Sequence, residues 1–276
     1  MPVRVRTAPS DRTLDFPRHR SIGVIAVRPW GSTSADDWAY CGEARGRLTI
    51  PAGAESRLDV YCDALADLTA LGSLPHDAFQ GLNFRDLPLG DNSLSAICEL
   101  VGLLGLDLSG TRVTDHGAMQ LSKLTALCGL NLSRTAIGNA TLAHIGALER
   151  LEWLNLSKTQ VDDIGIEHLR ALSHLRVLNL NCTGVSDGGL ASVRCLSRLW
   201  HLGLSETRIT DAGLAHLSEL RELARLDLAE TNISDAGIGQ LARRSTLRYL
   251  DIWETFVTRD GEAALQRALP DCAIAC

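Results

Sequence analysis

The sequence predicts an α/β solenoid bent into a horseshoe, with a parallel sheet on its concave side and short helices on its convex side. Two observations carry that expectation. The segments starting at Leu103, Leu127, Leu151, Leu175, Leu199, Leu223 and Leu247 superimpose without an insertion or deletion, at a period of 24 residues. Within each copy the apolar spacing then changes from alternation to steps of three, the mark of a strand followed by a helix.

Each copy opens as Leu151-Glu152-Trp153-Leu154-Asn155-Leu156-Ser157-Lys158-Thr159-Gln160-Val161 does, in the pattern L-x-x-L-x-L-x-x-T-x-[IV]. Leucines at the fourth and sixth places define a short strand whose third, fifth and seventh residues point to the opposite face. The ninth place is threonine in all seven copies: Thr111, Thr135, Thr159, Thr183, Thr207, Thr231 and Thr255. Most copies continue as [ST]-D-x-G-[LI], for example Thr210-Asp211-Ala212-Gly213-Leu214. The hydroxyl suits a helix N-cap and the aspartate suits the positive end of the helix dipole. Leu214, Leu217 and Leu220 then mark one face of a short helix.

A single copy buries too little apolar surface to offset the entropy of ordering its residues, so neighbouring copies must stack. Strands stack ~4.8 Å apart and helices need ~8–10 Å, which bends the stack with its strands inside. Weaker copies begin at Phe79, with Leu82 and Phe84, and at Glu55, with Leu58 and Val60.

These repeats resemble leucine-rich repeats over residues 79–270. The T-x-[IV]-[ST]-D-x-G-L version is similar to the cysteine-containing subclass found in F-box leucine-rich-repeat proteins and to arrays in many bacterial proteins. The resemblance implies a scaffold whose variable residues bind another protein. F-box relatives hold a substrate on such an array while a separate helical module recruits a ubiquitin ligase. Residues 1–78 show no helical pattern of that kind, so the resemblance implies capture of a protein and not ligase recruitment.

The domain reading follows from the repeats. Residues 1–20, with five arginines against two aspartates, read as a disordered basic tail. Residues 21–78 read as a β-rich N-terminal cap with a degenerate first repeat, including two strands around Pro51-Ala52-Gly53. Residues 79–271 form the array, closed by a helix that ends at Pro270, and residues 272–276 are a short C-terminal tail.

Composition narrows the function. The chain has 276 residues, 45% of them apolar, and a net charge of −6, which gives bulk attraction neither to nucleic acid nor to an anionic membrane. No apolar run is long enough for a transmembrane helix, and eight cysteines without C-x-x-C spacing suggest a reducing cytoplasm. There is no G-x-G-x-x-G after a strand, no P-loop, no H-E-x-x-H and no G-x-S-x-G, so neither enzyme chemistry, nor a metal, nor a cofactor is expected. His144, His168 and His216 share a helical place too widely spaced to hold one metal ion.

Three columns on the expected concave face are the candidate site. The third place reads Gly105, Gly129, Trp153, Val177, His201, Arg225, Tyr249, and the seventh ends in Trp253, so the second half carries the bulkier side chains. Trp, Tyr and Arg dominate binding surfaces, and only 4% of this chain is aromatic, which singles out Trp153, His201, Arg225, Tyr249 and Trp253 for a protein partner. The fifth place reads Asp107, Asn131, Asn155, Asn179, Gly203, Asp227, Asp251. Asp227 and Asp251 join the protein-binding set. Their neighbouring strands also give them roughly the ~5 Å separation of a retaining glycosidase pair, although any parallel sheet supplies that spacing. In the plainer reading the asparagines form an amide ladder and the acids meet solvent or Arg225. The eighth place gives a rim that is basic early, at Arg134 and Lys158, and acidic late, at Glu206, Glu230 and Glu254. Such a gradient fixes the direction of a ligand of opposite polarity.

The expectation is a non-enzymatic, cytoplasmic, monomeric module that binds a protein on its concave sheet, as adaptor or substrate receptor. Two alternatives stay open: a small-ligand binder or hydrolase using the concave carboxylates, and a structural fragment of a larger regulator or effector.

Overall fold

A computed structural model describes residues 10–32, 35–66 and 68–276. Five strands precede the array: β1 (Arg12–Asp15), β2 (Gly23–Pro29), β3 (Ala39–Glu43), β4 (Arg47–Ile50) and β5 (Ala54–Val60). The repeats then contribute β6 (Gly81–Asn83), β7 (Gly105–Asp107), β8 (Gly129–Asn131), β9 (Trp153–Asn155), β10 (Val177–Asn179), β11 (His201–Gly203), β12 (Arg225–Asp227) and β13 (Tyr249–Asp251), and β14 (Ala273–Ala275) follows. Twelve strands form one sheet in the order β14-β13-β12-β11-β10-β9-β8-β7-β6-β5-β2-β3. From β5 to β14 every pair is parallel and aligned at the 24-residue spacing, as in Arg57↔Gly81 and Tyr249↔Ala273. The solenoid predicted by the period is what the chain forms.

The repeat residues play the parts that alternation assigns them. Leu151, Leu154, Leu156 and Val161, at places one, four, six and eleven, are all fully buried, as are their counterparts in neighbouring copies. The threonine at place nine closes the turn after each strand: its hydroxyl donates to the carbonyl of the sixth-place leucine, for example Thr135 to Leu132 at 2.6 Å and Thr159 to Leu156 at 2.6 Å. On the convex side Thr114, Ser186, Ser234 and Thr258 cap helices through their side chains as expected. Several of these helices tighten into 3-10 geometry, most fully at Gly213–Glu219, where residues three apart stack directly.

The aspartate after the cap does more than meet a helix dipole. Its two oxygens reach into the next copy and accept from the capping residue's N–H and hydroxyl: Asp91 from Thr114, Asp163 from Ser186, Asp187 from Thr210, Asp211 from Ser234 and Asp235 from Thr258. Thr258's hydroxyl and N–H hold the Asp235 carboxyl below its ordinary value. The glycine three residues beyond that cap exists because of this rung. A Cβ at Gly213 or Gly237 would overlap the carboxylate of Asp187 or Asp211. In one copy that glycine is Thr141, whose hydroxyl bonds the Asp115 carboxylate instead.

Two expectations about the ends are corrected. Residues 1–9 lie outside the described residues, but residues 10–20 are not a tail. Strand β1 pairs antiparallel with β4, Leu14 and Phe16 are buried, and the Phe16 ring stacks on Phe79 at 6.3 Å. The segment covers the apolar start of the array, which would otherwise face water. At the other end Ala273–Ala275 is strand β14, paired to β13, with Cys272 buried. The two strands flanking Pro51-Ala52-Gly53 are present but belong to different sheets: β4 pairs with β1, and β5 with β2 and β6. Among the described residues no helix is long and apolar enough to cross a membrane.

The eighth place carries a backbone constraint that the sequence reading missed. Arg134, Lys158, Cys182, Glu206, Glu230 and Glu254 all have φ between 51° and 57°, and Gly110 at the same place has φ 67°. Each turns the chain out of its strand in the left-handed region, which costs an L-residue ~1–2 kcal/mol. Lys158→Gly is therefore expected to lie within about 1 kcal/mol of the wild type in urea denaturation, because relief of strain offsets the added chain entropy. Lys158→Val is expected to lose about 1–2 kcal/mol, since a β-branched side chain tolerates that region worst. Equal stabilities for the two variants would contradict the assignment.

Candidate functional site

The third, fifth and seventh places face the concave side and build its surface column by column. At the fifth place a side-chain oxygen accepts the N–H two residues on: Asn131 from Ser133 at 3.1 Å, Asn155 from Ser157 at 3.0 Å, Asn179 from Asn181 at 2.9 Å. Asp227 and Asp251 do the same, from Ala229 at 3.3 Å and Trp253 at 3.1 Å. Asp227 also accepts from Asn181 at 3.0 Å and from the Ser205 hydroxyl, and Asp251 from the Tyr249 hydroxyl at 3.4 Å. These two carboxylates hold turns and neighbouring strands, as the amides in the same column do, and this is not the arrangement of a free acid and nucleophile. The amide ladder does not form: among the described residues, the Nδ2 atoms of Asn131, Asn155 and Asn179 donate to no neighbour.

The expected contact of Asp227 with Arg225 is also absent. The Arg225 guanidinium lies over the Tyr249 ring at 4.3 Å, a cation–π contact that fixes both side chains. His201, Arg225 and Tyr249 stand in register on β11, β12 and β13. Burial, and then the positive charge of Arg225, hold the His201 ring below its ordinary pKa of 6.5. Trp200 packs edge-on to His201 at 6.1 Å, and Trp253 is 49% exposed one turn beyond Tyr249. The structure thus brings His201, Arg225, Tyr249 and Trp253 onto one half of the face. Trp153 is not with them: Val177 stands between it and His201, and its ring leans toward Gly129.

The rim charges are exposed, and some are already engaged. Arg134 pairs with Asp86 at 2.8 Å. The Cys182 thiol donates to Glu206 at 3.0 Å, and burial together with that carboxylate pushes the thiol up to about 11. Lys158, Glu230 and Glu254 project from the same left-handed turns.

The sequence reading passed over the other half of the face. Between the N-terminal cap and Trp153 lies a trough of about 850 Å³, floored by Gly81, Gly105 and Gly129. At its cap end the guanidinium groups of Arg28 and Arg57 lie 4.6 and 4.8 Å from the Trp38 ring. The run of glycines at the third place was the signal available in the sequence. It reads there only as small residues, because nothing outside the repeat period says that Trp38 folds back over them.

The molecule is an open, one-dimensional stack whose motif residues build the scaffold and whose variable residues form a broad surface, which defines a repeat solenoid. The family model for the leucine-rich repeat region matches residues 84–274, and the chain belongs to the leucine-rich-repeat family. A comparison with curated proteins finds no match. Among solved structures, the chain is similar to an internalin (inlF) from Listeria monocytogenes, with a TM-score of 0.63 and 21% identity over 76% of this chain and 56% of that one. It is also similar to a leucine-rich-repeat protein of Leptospira interrogans, with a TM-score of 0.54 and 17% identity over 72% of this chain and 55% of that one. An internalin C2 from Listeria monocytogenes aligns with a TM-score of 0.54 and 25% identity, over 76% of this chain and 84% of that one. The chain thus spans little more than half the length of the first two. The leucine-rich-repeat fold is in general a protein-interaction module, and its members are typically non-enzymatic scaffolds that bind protein partners.

Proposed function

We propose that this chain is a non-enzymatic adaptor or receptor that binds a protein partner on the C-terminal half of its concave face. The observation that supports this is the Arg225–Tyr249 stack, held at 4.3 Å, beside the exposed Trp253 and the half-buried His201. Side chains of these types, immobilised before contact, lose little entropy on binding and commonly anchor interfaces. The acidic run Glu206, Glu230 and Glu254 borders this patch and favours a partner with basic residues at the matching edge. Eight repeat strands at ~4.8 Å give a face roughly 34 Å long, enough for a standard interface.

Affinity capture from the native host tests the reading, with the wild type compared to an Arg225→Ala/Trp253→Ala variant whose melting curve matches it. Capture of one protein by the wild type, lost in the variant, is the expected result. The same protein captured equally by both would place binding elsewhere.

A further inference from the structure

The helical side of the array has a charged residue where its own pattern calls for an apolar one. The twenty-second place is Leu124, Leu148, Leu172, Leu196 and Leu220 in five successive copies, all buried, then Arg244 in the sixth and Ala268 in the last. The backbone at Arg244 is that of the leucine copies: its N–H donates to the Leu241 carbonyl three residues back, as that of Leu220 donates to Leu217. The scaffold therefore does not require an arginine there, and it bears a cost for one. The part-buried guanidinium donates to the Leu217 and Leu220 carbonyls, while its buried Nε finds no acceptor among the described residues. Burial lowers the pKa of Arg244, with no neighbouring carboxylate to offset it.

Arg244 lines a pocket of about 420 Å³ at the junction between the copy beginning at Leu199 and the copy beginning at Leu223. Arg221 of the first copy and Arg243 of the second line it as well, and no aspartate or glutamate does. Among the described residues none of these three arginines has an ion-pair partner, although Glu219 and Glu222 are close in sequence. The arginines that line the trough on the concave side, Arg28, Arg57 and Arg85, are each paired with a carboxylate. Arg248 adds a fourth positive charge at the margin, donating to the Ser245 carbonyl at 2.7 Å.

We propose that this pocket binds a phosphate dianion, free or as a monoester. Three guanidinium groups around one cavity repel each other until an anion enters it. A carboxylate has one charge and two oxygens in a plane, which a single arginine satisfies bidentately. A phosphate monoester carries about −1.5 to −2 charge and three acceptor oxygens, which matches donors supplied by three arginines from two copies. The volume falls within the ~300–1,000 Å³ of small-ligand sites. The chain's net charge of −6 opposes an extended polyanion such as nucleic acid, whereas a single phosphate group needs only this local cluster.

Calorimetric titration of the full chain at constant ionic strength tests the proposal, with inorganic phosphate, glucose 6-phosphate and a phosphoserine peptide as probes. Acetate and the unphosphorylated peptide are the comparisons. At least one phosphate probe is expected to bind saturably at a single site and more tightly than either comparison, and the two esters show whether the group arrives on a small molecule or on a protein. Arg244→Leu, which restores the leucine of the preceding copies, is expected to weaken binding by ~10-fold or more while leaving the melting temperature of the free protein unchanged or raised. Arg243→Gln changes an exposed side chain, so its expected loss of similar size does not come from unfolding. Arg198→Gln removes a charge outside the pocket and is expected to bind as the wild type does. No saturable binding of any phosphate probe, equal binding of acetate, wild-type affinity in both pocket variants, an equal loss in Arg198→Gln, or a melting temperature lowered by Arg244→Leu would each overturn the proposal. The pocket lies among the helices, away from Arg225 and Trp253, so this reading and the concave-face reading can each fail without the other.

Discussion

Leu178→Asp is expected to abolish cooperative folding of most of the array. Leu178 is fully buried at the middle of β10, flanked in register by Leu154 and Leu202. The substitution removes about 2 kcal/mol of apolar burial and places a carboxylate where no cation can reach it, a further penalty of several kcal/mol. A domain of this size is stable by only ~5–15 kcal/mol. Stability here is passed between nearest neighbours, so loss of the middle repeat leaves two stubs, each with a newly exposed apolar end. Leu178→Ala, which makes a cavity without a charge, should cost about 2–5 kcal/mol and retain the fold. Circular dichroism with urea denaturation separates the cases. An unchanged transition for Leu178→Asp would refute the stacked core.

The second large effect concerns the rung between repeats. Asp187→Ala removes the acceptor of the Thr210 N–H at 2.9 Å and of its hydroxyl at 2.6 Å, leaving a part-buried N–H unmatched, for an expected loss of about 2–3 kcal/mol. Gly213→Ala alone should cost about 1–3 kcal/mol, because its Cβ overlaps a carboxylate that Thr210 holds in place. Together the two changes should cost less than their sum by about 1 kcal/mol, since removing the carboxylate makes room for the methyl group. Strict additivity in a double-mutant cycle of denaturation free energies would show that the glycine is kept for another reason.

What could be read from the sequence was whatever recurs. A residue such as Leu154 has the same neighbours as Leu130 and Leu178, so seven copies report one environment seven times, and strand, turn and helix all follow. The rung was not legible, because Asp187 and Thr210 lie in different copies and the motif shows only that both kinds of residue recur. Residues 10–20 were misread because Leu14 and Phe16 are two apolar residues among arginines and prolines, too short a signal to show that they cover Phe79. The candidate site divides in the same way. His201, Arg225, Tyr249 and Trp253 share columns that the period predicts, and the structure places them on one surface. The trough depends on Trp38, whose position is set by pairing of the cap strands and by no periodicity, so its residues could not be assembled in advance.

The rungs also bear on how such a chain can change over generations. Five of the seven junctions join an aspartate to the N–H and hydroxyl of a capping serine or threonine, the exceptions being Asp115 with Gly138 and Thr141 and Asn139 with Asp162, so most copies can follow one another. Excising residues 199–222 would bring Asp187 opposite Ser234 and β10 beside β12, restoring a junction of the type already present between Asp211 and Ser234. A deletion of one residue instead shifts every later strand by half its period and turns its leucines outward. The heritable unit is therefore the whole 24-residue cassette, gained or lost entire by exchange between in-phase copies, and seven copies without a single length change record that rule.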